Sequence, residues 1–260
     1  MYVAKQHEIA PHKALEIATS IGAGQLITIG SGGPNATFVP FNVVGELGPI
    51  AAPTVSPAAS TNPVGPATPT DPADSAGGVV VQAHLNRVNP QWRDEGEALL
   101  VVHGPNARIS GLDFPPEQPT QKLPTVPTWN YVTVHLRGTL TFHDDADWKL
   151  RHLERLIDQH EEEWRMGTHS RMELIEAAFA AMVGVEIEVR DVVGKAKLGQ
   201  NMSSANIAYT ADRLRARDGS AAQVADLMED IAIPWARSRE GRMERAVNGM
   251  LPITWEHGTF

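Results

Sequence analysis

The feature that most constrains this chain is the alternation in "WNYVTVHLRGTL", where Val132, Val134 and Leu136 are separated by Thr133, His135 and Arg137. Successive side chains of a strand point to opposite faces, so the segment offers one apolar and one polar face, as a half-buried antiparallel strand requires. "GVEIEVRDVVGKAKLG" alternates in the same way and predicts a second long strand. Shorter strands are predicted in "GQLITIG", "NATFVPFNVV", "GVVVQAHL" and "EALLVVHG". The first two form a hairpin about the glycine-rich turn Gly30 to Asn35. Strands and helices do not alternate regularly, which argues against a doubly wound parallel sheet. The fold class is mainly β with appended helices (α+β), as a closed or split antiparallel barrel.

Helical periodicity marks His12 to Gly22. It recurs in "DDADWKLRHLERLIDQHEEEW", where Asp144 or Asp145 caps the first turn and Leu150, Leu153, Leu156 and Ile157 form the apolar stripe. "SRMELIEAAFAAM" opens on a capping box, Ser170 to Glu173. Two further helices, "SANIAYTADRLRAR" and "SAAQVADLMEDI", are joined by "DGS", the second with Ser220 and Gln223 as a capping box. From Pro234 to Phe260 the sequence reads as an irregular tail. The segment from Gly45 to Gly78 holds no Lys, Arg or aromatic residue and is rich in Pro, Ala, Gly, Ser and Thr. It cannot bury enough apolar surface to offset its ordering entropy, so it reads as an inserted loop or tether.

The absence of cysteine in 260 residues excludes disulfides, thiolate metal sites and cysteine nucleophiles. The N-terminal stretch lacks the pattern of a signal peptide and no apolar run reaches a membrane span, so the expected location is cytoplasmic. A net charge of -9 does not support DNA contact. The helix pair around "DGS" has the outline of a helix-turn-helix, with Arg213, Arg215 and Arg217, yet the second helix carries Asp226, Glu229 and Asp230 where bases would be read. No GxSxG, phosphate loop or HExxH spacing is present, Ser110 has no acid–histidine partners that can be named, and no metal site is expected from His84, His103 and His135. Four polar clusters at strand edges remain: "HLNRVNPQW", "GPNARISGLDF", "VPTWNYVTVH" and "KAKLGQN". Their cations suit a phosphate, their amides a polar heterocycle edge, and their tryptophans a stacking surface.

In this order, together with "MYV" at the start, these elements resemble the PaiB family, over nearly the whole chain to about Arg217. The resemblance implies an antiparallel split β-barrel of the FMN-binding type, similar to pyridoxamine phosphate oxidase, and a homodimer with flavin at the subunit interface. Residues 1–200 would form the barrel domain, with the Pro/Ala-rich insertion at 45–78 and helices at 145–182. Residues 201–260 would form a C-terminal helical extension and tail. By the same resemblance Arg87 would take the phosphate, with His84, Asn89 and the partner strand's Lys197, Gln200 and Asn201. Trp129 would wall the flavin, Asn130 would bond the ring system or fix the backbone, and Trp92 and Ser110 would join the site. Three departures stand out. They are the insertion itself, Ala196 and Arg108 at positions where the family tends to carry aromatic residues, and "GLDF" in place of serine, tryptophan and tyrosine. The family name implies a negative transcriptional regulator or flavin-dependent sensor. A flavin-dependent oxidoreductase on a small molecule, or a barrel that has lost its flavin and serves as an interaction module, remain open beside it.

Overall fold

The computed structural model describes residues 1–45, 78–116, 126–217 and 219–250. Most of the proline-rich insertion and the end of the tail therefore lie outside the described residues. Seven strands form one sheet: β1 (Glu8–Ile9), β2 (Ala23–Gly30), β3 (Gly33–Val44), β4 (Val80–Asn86), β5 (Gly96–Ile109), β6 (Thr128–His143) and β7 (Met182–Lys197). The helices are α1 (Pro11–Ile21), α2 (Ala146–His160), α3 (Met172–Phe179), α4 (Ser204–Arg215), α5 (Ser220–Leu227) and α6 (Ile233–Met250), with a π-helical turn, Met228–Ala232, between α5 and α6. The sheet order is β1-β7-β4-β3-β2-β5-β6, and an added β6–β7 pairing closes six strands into a ring. The pairs β1–β7, β2–β3, β2–β5, β3–β4 and β4–β7 are antiparallel. This is the antiparallel barrel that the strand pattern implied as closed or split, in the split form that the resemblance implied.

The β2–β3 hairpin shows how the pattern sets the two faces. Leu26 opposes Thr37 and Leu100, and this side turns to the core, where Leu26, Leu100 and Phe41 are fully buried. Ile27 opposes Ala36 and Leu99, and Gln25 opposes Phe38, on the other side. There Ile29 and Phe38 are each 63% exposed. The ring closes where Gly138 of β6 approaches β7: a Cβ at that position would lie 1.9 Å from the Glu188 carbonyl oxygen. Only glycine lets the two backbones come this near.

The chain divides into two compact units. One holds residues 10–102 and 134–193, with α1 to α3. The other holds 1–9, 103–133 and 194–260, with α4 to α6. In the second unit the helices close on Ile207, Ala211, Leu214, Val224, Ala225, Met228, Ala232 and Ala236, all fully buried.

Several local expectations are corrected. The stretch after Pro234 is not irregular: α6 runs to Met250. Proline lacks an amide donor and its ring crowds the carbonyl four residues back, and the wider π turn just before it accommodates both effects. Helix α3 has Arg171 at its N-cap with no side-chain cap, so Ser170 and Glu173 form no capping box. The N-cap of α5 is Gly219, and the Ser220 hydroxyl instead donates to the Asn106 carbonyl and accepts its N–H, each at 2.8 Å. The expected cap of α2 is present: of the two candidates it is Asp145, which accepts from the Trp148 N–H at 2.8 Å. The leucine stripe of α2 is not its buried face: Leu150, Leu153, Leu156 and Ile157 are half-buried, whereas Trp148, Lys149 and His152 are buried.

Candidate functional site

In the unit of residues 10–102 and 134–193, strand β4 and the short 3-10 turn Pro90–Arg93 carry His84, Arg87, Asn89 and Trp92. Much of this motif serves the fold. The Asn89 side chain caps the turn by accepting the Gln91 N–H at 3.0 Å and donates to the Thr37 hydroxyl at 2.9 Å. Gln91, buried, donates to the Leu26 carbonyl and the Thr28 hydroxyl and accepts from Thr37. Asp94 accepts from Thr28 at 2.5 Å and Asn35 at 2.8 Å. The Trp92 indole donates to the Arg87 carbonyl at 2.8 Å. These bonds tie the turn to the hairpin and hold Arg87 at the end of β4.

The guanidinium of Arg87 donates to the Ala180 carbonyl at 2.8 Å and to the Met182 carbonyl at 3.2 Å, and it pairs with Asp144. The same carboxylate accepts from the buried Lys149 ammonium at 2.6 Å, which also donates to the Phe179 carbonyl at 2.9 Å. Hydrogen bonds from Lys149 first, then Arg87, hold the Asp144 carboxyl below the usual carboxylate range.

His84 meets His152 of α2, ring nitrogen to ring nitrogen at 3.0 Å, and the other nitrogen of His152 lies 2.9 Å from the Asn42 amide oxygen. Burial, then the neighbouring His84 and Arg155, push the His152 pKa down to about 3, and burial also lowers that of His84. His143 stacks on Trp148 with ring centroids 4.5 Å apart, and Trp148 on His152 at 5.3 Å. Glu186 accepts from Gln82 at 3.1 Å and the Trp148 indole at 3.3 Å, with His143 3.6 Å away. Burial alone would raise its pKa, but His143 and these donors outweigh it and hold the carboxyl low.

The other unit carries Ser110, Trp129, Asn130, Lys197, Gln200 and Asn201. The Trp129 ring is half-exposed and its indole donates to the Asn106 side chain at 3.2 Å. Lys197 donates to the Thr128 hydroxyl and the Trp129 carbonyl, both at 2.7 Å. Among the described residues it has no carboxylate partner. Burial first, then Lys195, lowers its pKa. A cation that is partly desolvated and repelled by another cation favours an approaching anionic or electron-rich group. Gln200, buried, donates to the Ala196 carbonyl, accepts from the Leu198 N–H at 2.8 Å, and meets His7 at 3.0 Å. Asn201 is exposed at the turn that follows β7. Asn130 is buried, its amide 3.6 Å from the Met228 sulfur. Ser110 and Asp113 cap one another's turn, and Asp113 also receives Arg217. Lys149 was not singled out from sequence, Asp144 was read only as a candidate helix cap, and Asn106 only as part of the "GPNARISGLDF" cluster.

The family described as "Putative FMN-binding domain" matches residues 1–191. The chain belongs to this PaiB-like FMN-binding family, and FMN is the cofactor that membership points to. Protease synthase and sporulation protein PAI 2 of Bacillus subtilis (strain 168) is 28% identical over 156 residues, covering 58% of this chain and 72% of that one. An uncharacterized protein of Saccharomyces cerevisiae is 36% identical over 93 residues, 34% of this chain, and the match spans about half of its length (54%). Among solved structures, the flavocytochrome Anf3 of Azotobacter vinelandii aligns with a TM-score of 0.46 and 12% identity, over 76% of this chain and 73% of its own. The FAD and heme binding protein of Mycobacterium smegmatis aligns at 0.43 and 13%, over 75% of each chain. Among the described residues no helix is long and apolar enough to cross a membrane.

Proposed function

We propose that the chain works as a flavin-binding homodimer of PaiB type, a negative regulator of transcription or flavin-dependent sensor. Membership of the FMN-binding family over residues 1–191 is the observation that carries this reading. The side chains present fit the cofactor. In one unit Arg87 offers positive charge to a phosphate. In the other, Lys197 offers a cation to a polar ring edge and the half-exposed Trp129 ring offers a flat stacking surface. Asn89 and Trp92 hold the turn beside Arg87, and Gln200 braces the turn that follows Lys197. When bound, the isoalloxazine would supply one- and two-electron redox chemistry, and the protein would supply position and charge.

Regulation through a partner protein or a small signal suits the surface better than direct reading of DNA. In the α4–α5 pair Arg215 is ion-paired with Asp226, Glu229 and Asp212, so its charge is not free for a phosphate backbone. The test is the visible spectrum of the purified protein followed by titration with FMN, read by flavin fluorescence. Binding in the micromolar range or tighter is expected, weakened at least about tenfold by Trp129→Ala, the size of one lost stacking contact. No binding at high micromolar FMN would sink the flavin reading for this chain and leave the interaction-module alternative.

A further inference from the structure

We propose that Arg87 and Lys149 form a binding site for a phosphate monoester, and that Asp144 fills this site as a built-in competitor when the ester is absent. Two cations share one carboxylate, so the cluster keeps an excess positive charge. Both cations are fixed without Asp144: Lys149 by the Phe179 carbonyl, Arg87 by the carbonyls of Ala180 and Met182. Three carbonyls of one short stretch, where α3 runs into β7, therefore aim the two groups at a common point. The occupant of that point is the replaceable part. Asp144 lies between the end of β6 and the start of α2, outside both, and its side chain is 64% exposed, against 35% for Arg87 and 4% for Lys149. The anion is thus the most solvent-exposed member of the cluster. Here the anion sits at the mouth, where a dianionic phosphate can displace it and bring more charge and more acceptor oxygens to the same donors. The flavin reading is needed only to name the ester as that of FMN; the anion site itself does not depend on it.

The experiment compares wild type with Asp144→Asn, using inorganic phosphate as the probe, with chloride at equal ionic strength as the control. The variant should bind phosphate about tenfold more tightly, a typical coupling between competing groups. Its thermal midpoint should rise with phosphate and not with chloride, and adding Arg87→Gln should abolish both effects. A variant that is destabilised and not rescued by phosphate, or that binds phosphate no better than wild type, would overturn the proposal and leave a structural ion pair. Titration of the same proteins with FMN and riboflavin separates the two readings. If Asp144→Asn raises the preference for FMN over riboflavin about tenfold, the ester is the flavin's. If phosphate binds and neither flavin does, the anion site stands and the flavin reading falls. If both flavins bind, Asp144→Asn leaves their ratio unchanged and phosphate has no effect, the flavin reading stands and this site falls.

Discussion

Helices α4 to α6 and helix α2 cover their own parts of the molecule by opposite means. The α4–α6 group closes on eight fully buried aliphatic, alanine and methionine side chains. Helix α2 turns Trp148, Lys149, His152 and Arg155 toward Asn42, Gln82, His84, Asp144 and Glu186, through hydrogen bonds and ring stacks. An apolar contact needs only volume and is insensitive to pH. A polar one holds only while each group keeps its partner and its protonation state. The second kind of packing is conditional, and it lies beside the residues proposed to bind the phosphate.

The comparison is broken most directly in the apolar layer. Leu214→Ala should cost about 2–5 kcal/mol of unfolding free energy, because it leaves a cavity in a layer made mostly of apolar side chains. Urea denaturation at pH 7.5 measures this, and the loss should be the same at pH 5.5. The polar layer should behave differently. The pKa of His152 is depressed from 6.5 to about 3 in the folded state, so the unfolded chain takes up the proton first. Its contribution is complete above about pH 6.5 and is lost as the pH falls toward 3, at about 1.4 kcal/mol per pH unit once well below 6.5. His84 and Glu186, also held low, act in the same direction. Urea curves collected in steps from pH 7.5 to pH 4.5 should show this slope, and His152→Leu should flatten it. The smallest effect is expected at Arg215, whose three carboxylate partners are all exposed. Arg215→Ala should leave the denaturation midpoint unchanged within error.

Most of the strands, though not their order in the sheet, were legible because alternation reports directly on which face is wet. The β2–β3 hairpin and the long strands β6 and β7 follow from it residue by residue. Helix α2 was recognisable as a helix, but its buried face was not. Hydrophobic periodicity assumes an apolar partner, and the sheet beneath α2 presents Asn42, Gln82 and Glu186, so the leucines are left at the flank. Helix α6 was hidden by Pro234 and Gly241, because the π turn that accommodates the proline has no sequence signature. At the site, the motif residues could be named but not their employment. "NPQW" reads as ligand chemistry, yet Asn89 and Gln91 have their hydrogen-bonding groups engaged by the hairpin. Lys149 was missed because an isolated lysine on a charged helix looks solvated until the structure shows it buried.

Closure of the ring at Gly138 has a consequence for how such a chain lives at high concentration. Each of the six strands in the ring has a neighbour on both sides, so along the paired stretches their backbone donors and acceptors are engaged within the molecule. An open sheet would need charged or proline-bearing edge strands to discourage pairing with other chains. Here that duty falls on the seam between β6 and β7, and the seam depends on a residue without a side chain. A chain altered at Gly138 would have two long strands, β6 and β7, to offer to its neighbours.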